Sequence, residues 1–384
     1  MRVLFSSTWG LGHVFPMLPL ARAFAAAGHQ VLWATSADSC TRVVAAGVDA
    51  NPAGLSGTAL REVVRDLNKA AAAQVSPPEQ AQFTFPRMFG EAFTPAMVAD
   101  LLPLAQRWRP DILVHENGEL ASPLVGAILG APSITHAFGG AIPASFLDAA
   151  GRRLEPLWSQ YGQAVPPYAG CFTRLYLDIC PAAVQTVGTS HITAIQPLRP
   201  EQYIGEPPSV LPPFLSVDGR PLVYLTLGTM FNHPGVLRPA IQALSALRVR
   251  LLVALGPTGN PTELDPGLPN VRVETWVHQP QVLEHSQVVV SHAGSGTFLG
   301  ALGGGLPQLC IPQAADQFRN ADGGVRSGAA LLLTPEQATP ETIADAVATL
   351  LEEDNFRHSA NGIAADIRAM PSPAEVVEKL SHVN

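Results

Sequence analysis

Short unbroken apolar runs alternate along this chain with stretches of helical spacing, the pattern of an α/β protein with buried strands. Val3-Leu4-Phe5 predicts a first buried strand, 17–27 the helix after it, and 31–35 a second strand. Ile112-Leu113-Val114 marks a strand further into the same half. The pattern restarts with a strand over 222–226, a helix over 234–247 and a strand over 251–255, and continues with Val288-Val289-Val290 and Leu309-Cys310-Ile311. Each half opens on a strand and a glycine-bearing loop, which predicts two Rossmann-like β/α/β domains facing across a cleft.

The punctuation agrees with that division. Seven prolines, at 197, 200, 207, 208, 212, 213 and 221, occur with no helical or strand period. They predict an interdomain linker over 198–220, with 1–197 as the N-terminal domain and 221–370 as the C-terminal one. Residues 373–380 read as a last helix with Val376, Val377 and Leu380 on one face. Over 54–90 small and polar residues, Pro77-Pro78 and the aromatic cluster Phe83, Phe85 and Phe89 predict a long irregular connection, functional or mobile.

Bulk properties narrow the classes of function. A chain of 384 residues is long enough for two domains with ample cores. The formal charge of −8 and the lack of a basic cluster argue against nucleic acid and anionic membranes as partners. Four cysteines, at 40, 171, 180 and 310, have neither metal-ligand spacing nor disulfide density, so the expected setting is the reducing cytoplasm. The first residues have too short an apolar core for a signal peptide, and the greasiest stretches, 120–135 and 296–312, are interrupted by Pro and Gly, so no membrane span is expected. Composition decides nothing about assembly, and a homodimer stays open.

Candidate chemistry concentrates after two strands. Val288-Val289-Val290 leads into Ser291-His292-Ala293-Gly294-Ser295-Gly296-Thr297 and then a helical stretch. Such a turn points backbone N–H groups and the positive end of a helix dipole at one spot, where Gly294 and Gly296 allow close approach of an anion, above all a phosphate. His292, Ser295 and Thr297 could add side-chain donors; a histidine there could equally be a satisfied structural one. Thr229 lies beside a glycine at another strand's carboxyl end, and Asp316-Gln317 follows the next strand, a carboxylate and an amide suited to sugar hydroxyls. His13 follows the first strand, where open α/β sheets place ligands, and an imidazole suits general-base work. Glu116, just after the mid-domain strand, is the candidate carboxylate to orient it, with Glu119 second.

Three other readings fail on spacing. Gly10-Leu11-Gly12 is not a dinucleotide fingerprint, because Phe15 holds the third glycine position and no acidic residue follows the second strand. Ser295 is not on a nucleophile elbow, since its flanks at two-residue spacing are Ala293 and Thr297. His115-Glu116-Asn117-Gly118-Glu119 lacks the second histidine of a zincin, and no metal site is expected.

In combination, Trp276-Val277 with Gln279-Pro280, the run from His292 to Thr297, Asp316-Gln317 with Asn320-Ala321, and Gly12-His13 followed by Pro16 resemble the inverting family 1 glycosyltransferases of the GT-B fold. The resemblance is closest to the actinobacterial branch that decorates natural products, and it runs nearly the whole chain. It implies an α/β, GT-B architecture with an acceptor-binding first domain, a nucleotide-sugar-binding second domain, and a final segment, 371–384, that crosses back to the first. It implies His13 as general base, helped by Glu116. Thr229, His292 and residues 294–297 would hold the diphosphate, Trp276 would stack on the base while the Val277 backbone pairs with its edge, and Asp316 and Gln317 would hold the sugar. Phe83, Phe85, Phe89 and Phe138, with Phe146, Trp158, Tyr161, Tyr168 and Phe172, would suit an aromatic or polyketide-type aglycone.

One departure bears on the donor. Many uridine-nucleotide members carry a glutamate eight residues after this histidine, where it accepts from ribose hydroxyls; here the residue is Gly300. A nucleotide without the 2′-hydroxyl loses less by that absence, which favours a dTDP-sugar, often a deoxysugar, over a UDP-sugar. No cofactor is expected beyond that substrate. Two alternatives keep the same motifs: carbon glycosylation of a phenolic ring, and a non-catalytic auxiliary partner of another transferase.

Overall fold

The computed structural model of the chain describes residues 1–76, 79–203, 205, 213–215, 219–228, 234–256 and 259–381. Thr229, Pro77-Pro78 and most of the expected linker between 204 and 218 lie outside the described residues.

Two all-parallel sheets form. The first contains β1 (Arg2–Ser6), β2 (Gln30–Thr35), β3 (Asp49–Pro52), β4 (Ile112–Glu116), β5 (Ser133–His136), β6 (Leu175–Asp178) and β7 (Ile195–Pro197), in the order β3-β2-β1-β4-β5-β6-β7. The second contains β8 (Leu222–Thr226), β9 (Arg250–Ala254), β10 (Val271–Glu274), β11 (Val288–Ser291), β12 (Gln308–Cys310) and β13 (Ala330–Leu332), in the order β10-β9-β8-β11-β12-β13. Strand order reverses between β1 and β4 in one sheet and between β8 and β11 in the other. Connections leave in opposite directions at such a point and open a crevice at the strands' carboxyl ends. The register there puts Ser6 beside His115 and Thr226 beside Ser291.

The apolar runs work as the pattern requires. Alternate residues of a strand face opposite layers. Val223, Leu225, Val253, Val288 and Val290 pack with Leu237, Ile241, Leu244, Ile343 and Val347 on one side of the second sheet. Tyr224, Leu252 and Val289 pack with Val282, Leu283 and Ala301 on the other. Each such side chain contributes about 1.5–3 kcal/mol on burial.

The chain forms two compact units, one of Met1–Cys180, Val187–Tyr203 and Met370–Asn384, the other of Pro181–Thr186 and Ile204–Ala369. The last helix, Pro373–Ser381, packs on the helix Leu18–Ala26 of the first unit, with Ser381 Oγ 3.0 Å from His29 Nε2. Conversely, the short turn Ala182–Val184 lies on the helix Gln317–Arg326 of the second unit, so closely that a Cβ on Gly323 would run into the Val184 carbonyl oxygen.

The irregular connection expected over 54–90 is in fact helical. Gly57–Gln74 and Gln80–Phe85 are α-helices, and Pro86–Phe93 is a π-helical turn that runs into the helix Thr94–Trp108. Leu60, Val64, Leu67 and Ala71 recur at helical spacing, and the alanines at 70–73 are the strongest helix formers. Only Leu60 and Ala71 of this helix are buried, so its apolar stripe is thin and easily missed. Among the described residues no helix is long and apolar enough to cross a membrane.

Candidate active site

In the first unit, the chain leaves β1 through Ser7, Thr8 and Trp9, turns at Gly10 (φ 96), and starts the short helix Leu11–Val14 that carries His13. Glu116 is the last residue of β4, on the far side of the strand-order reversal. His13 Nδ1 lies 3.1 Å from Glu116 Oε1, with the His13 side chain 22% exposed and the carboxylate wholly buried. Thr8 donates to the same oxygen from its N–H at 3.2 Å and from Oγ1 at 2.7 Å, and Gly118 N–H donates to Oε2 at 2.5 Å. Burial is the largest influence on this carboxyl and opposes its charge. The His13 imidazole and the three donors outweigh it and hold the group below its usual value. Glu116 is therefore anionic at neutral pH. It draws the imidazole proton to Nδ1 and leaves Nε2 as the basic atom.

Aromatic rings frame this pair. The Phe138 ring centroid is 4.6 Å from that of His13 and Phe89 is 5.7 Å away. Phe85 stands one ring further out, 4.8 Å from Phe89. Phe83 is not part of the group: its ring takes the Arg87 guanidinium at 3.8 Å. Trp158, Phe146 and Phe172 are core residues, and Tyr168 packs on Phe172 and His191, whereas Tyr161 is exposed. A cavity beside Thr8 is lined by Ser7, Trp9, Leu60, Phe93 and Met97.

Glu119, the second candidate orienter, has a different task. It accepts from Ser6 Oγ at 2.7 Å, Ala121 N–H at 2.7 Å and Ser122 N–H at 3.2 Å, which gives the first two N–H groups of the helix Ala121–Leu129 a partner. His136, opposite Glu116 on β5, donates from Nδ1 to the Ala137 carbonyl. Burial pushes its pKa down to about 4 against the Glu116 charge and that hydrogen bond, so it is neutral at pH 7. Thr8 and His136 escaped the sequence reading, because only strand order brings them to Glu116.

The second unit repeats the topology. β11 runs into His292, and Gly294 caps the helix Ser295–Gly303 with no side-chain hydrogen bond. The first bond of that helix is Phe298 N–H to the Gly294 carbonyl, and helix geometry aims the N–H groups before it toward the loop. Two glycines clasp the His292 imidazole. A Cβ on Gly228 (φ 77) would stand 2.5 Å from Cε1, and one on Gly294 would run into Nε2. Burial lowers the His292 pKa to about 4, against the Asp316 charge and a hydrogen bond to the Thr226 backbone. At Gly296 a Cβ would meet nothing within 4 Å.

The side chains expected at phosphate are placed otherwise. Ser295 Oγ donates to Asp316 Oδ2 at 2.6 Å and Thr297 Oγ1 donates to Gln279 Oε1 at 3.1 Å. Both hydroxyl protons are thus committed within the protein. Asn320 Nδ2 reaches the Ala293 carbonyl at 2.9 Å, Ser295 Oγ at 3.1 Å and Asp316 Oδ2 at 3.0 Å. It ties the loop to the sugar candidate. Ala293 (φ 62) and Ala315 (φ 56) are both left-handed, at roughly 1–2 kcal/mol each, strain of the kind that gathers at functional loops. Gln317 is 2% exposed, and its Oε1 accepts from Gln313 and Ala314 N–H, which leaves only the amide nitrogen for a ligand. Trp276, past the end of β10, is 38% exposed, and Val277 packs on the core. Among the described residues no group of three or more His, Cys, Asp or Glu side chains could hold a metal ion.

Comparison with known proteins finds similarity in both units. Models of the erythromycin biosynthesis protein CIII-like N-terminal and C-terminal domains match residues 22–228 and 244–383. The elloramycin glycosyltransferase of Streptomyces olivaceus is 34% identical over 395 residues, 99% of this chain and 97% of that protein. The L-demethylnoviosyl transferase of Streptomyces niveus is 31% identical over 394 residues, 99% of this chain and 98% of that one. Among solved structures, a spinosyn rhamnosyltransferase complexed with spinosyn aglycone matches with a TM-score of 0.82 at 27% identity, covering 100% of both chains. The same enzyme complexed with thymidine diphosphate gives 0.80 at 28%, again covering 100% of both. Two parallel sheets, each with its loops at the strand-order reversal, and similarity along the whole length place the chain in one family: it belongs to the erythromycin biosynthesis protein CIII-like branch of GT-B-fold antibiotic glycosyltransferases.

Proposed function

We propose that this protein is a metal-independent, inverting glycosyltransferase that moves a sugar, by preference a deoxysugar, from a dTDP-sugar to a hydroxyl of an aromatic or polyketide-type acceptor. The observation that carries the proposal is the contact of His13 with the buried, charged Glu116. His13 Nε2 takes the acceptor's proton, the freed oxygen attacks the anomeric carbon, and the bond to the diphosphate breaks on the opposite side, which inverts that carbon. Glu116 stabilises the imidazolium that forms. The negative charge growing on the diphosphate meets the helix N-terminus of 294–297, whose fixed N–H groups count most in the transition state. Phe89 and Phe138 offer apolar faces to a flat acceptor.

The dTDP preference is supported by Gly300, which lies on the helix Ser295–Gly303 and offers no side-chain acceptor to a ribose 2′-hydroxyl. Calorimetric titration with dTDP and UDP in EDTA tests the donor half: dTDP should bind more tightly, and without metal. A UDP preference would remove the Gly300 reasoning but keep the transferase. Binding of neither would favour a non-catalytic partner protein. His13→Ala should abolish transfer while dTDP affinity is retained, and unchanged transfer would remove His13 from the reaction.

A further inference from the structure

We infer that Ser295 is a positioning residue for the donor sugar and not a phosphate ligand: its hydroxyl fixes the Asp316 carboxylate in the orientation that reads sugar hydroxyls. The inference rests on the nucleotide-sugar reading above and deepens it. A serine hydroxyl carries one proton. In Ser295 that proton goes to Asp316 Oδ2 at 2.6 Å, and the same Oγ accepts from Asn320 Nδ2 at 3.1 Å. No proton remains for a phosphate oxygen. With one Asn320 N–H on the Ala293 carbonyl, the other is shared between Ser295 Oγ and Asp316 Oδ2 at 3.0 Å, so both side chains converge on one carboxylate oxygen and recognition of a sugar hydroxyl falls to Oδ1.

Electrostatics gives the arrangement its purpose. The Asp316 charge lies close enough to His292 to act on its protonation, so it stands near the spot where a diphosphate would collect negative charge. An untethered carboxylate there would swing away from the phosphates. Charge-assisted hydrogen bonds from Ser295 and Asn320 hold it against that repulsion. The bond from Asn320 to the carbonyl of left-handed Ala293, and the left-handed Ala315 just before Asp316, fix the loop on either side. Sugar recognition is thereby keyed to the correct form of the anion loop.

The test is calorimetric titration of wild type, Ser295→Ala, Ser295→Thr, Asp316→Asn and the Ser295→Ala/Asp316→Asn double variant with dTDP and with dTDP-glucose, without acceptor. Affinity for dTDP should stay within about twofold in Ser295→Ala and Ser295→Thr, and be retained or raised where Asp316→Asn removes the charge beside the diphosphate, which also reports that each variant is folded. Affinity for dTDP-glucose should fall about tenfold in Ser295→Ala, return in Ser295→Thr, and be no worse in the double variant than in Asp316→Asn alone. Equal weakening of dTDP and dTDP-glucose in Ser295→Ala would make the hydroxyl a phosphate ligand and overturn the inference. So would additive losses, no loss, or a wild type that binds the two compounds equally. A wild type that binds neither would overturn the nucleotide-sugar reading itself.

Discussion

Replacing Glu116 by Gln changes one atom type at a site that the structure has filled with donors. Thr8 N–H, Thr8 Oγ1 and the His13 imidazole converge on Oε1, and Gly118 N–H points at Oε2. A glutamine has one acceptor oxygen. Its least costly pose keeps that oxygen toward Thr8 and His13 and sets its own N–H₂ against Gly118 N–H, a buried donor left unmet at about 1–3 kcal/mol. In a domain of this size that lowers Tm by roughly 2–4 °C per kcal/mol. Activity should suffer far more. The neutral amide can still position the ring, but it no longer stabilises the imidazolium in a wholly buried place. Loss of an orienting carboxylate of this kind lowers kcat by on the order of 10³–10⁴, about 4–5.5 kcal/mol of transition-state stabilisation. The assay is transfer from a dTDP-sugar to an aromatic acceptor followed by chromatography, with dTDP affinity as the control for the unaltered half. Turnover in Glu116→Gln within tenfold of wild type would refute the reasoning, because Glu116 would then serve only the fold.

Three further outcomes follow from the same geometry. Gly296→Ala places its methyl in open space and should leave Tm unchanged while weakening dTDP, whereas Gly294→Ala forces His292 aside and should lower both; equal behaviour of the two in melting and titration would count against the anion loop. Phe138→Ala removes the ring beside His13 and should raise acceptor KM by about 2–12-fold, the worth of one aromatic contact, with dTDP affinity unaffected. His136 and His292 are held neutral with pKa values of about 4, so between pH 6.5 and 4 the unfolded chain binds more protons than the folded one. Stability should decline as pH falls through that range, by about 3 kcal/mol per histidine, and His136→Asn should flatten the slope of Tm against pH; parallel slopes would contradict the assignment.

The strands and the loops that carry His13 and His292 were legible because their signals are local: an apolar run, then glycine and histidine within a few residues. Glu116 was found as the end of such a run. Thr8 was not, since it lies 108 positions away and only the adjacency of β1 and β4 brings it to the carboxylate. Ser295 was read as a phosphate donor for a similar reason. Its place in a glycine loop is visible in the sequence, but the bond to Asp316 depends on the parallel pairing of β11 with β12. The helix Gly57–Gln74 was missed because it buries little, so propensity carried more of its signal than periodicity did.

Relatives of this protein invite recombination, in which the acceptor half of one enzyme is joined to the donor half of another. The chain does not divide at a single cut. Pro181–Thr186 belongs to the second unit although it precedes the last strand of the first, and the end of the chain returns to the first unit. A hybrid joined once near residue 203 would pair a foreign turn with the helix Gln317–Arg326, where the Gly323 backbone touches Val184, and a foreign tail with the helix Leu18–Ala26. Hybrids that keep this chain's 181–186 and exchange its tail along with residues 1–180 and 187–203 preserve both packings, so seam choice, more than parental similarity, should decide which chimeras fold.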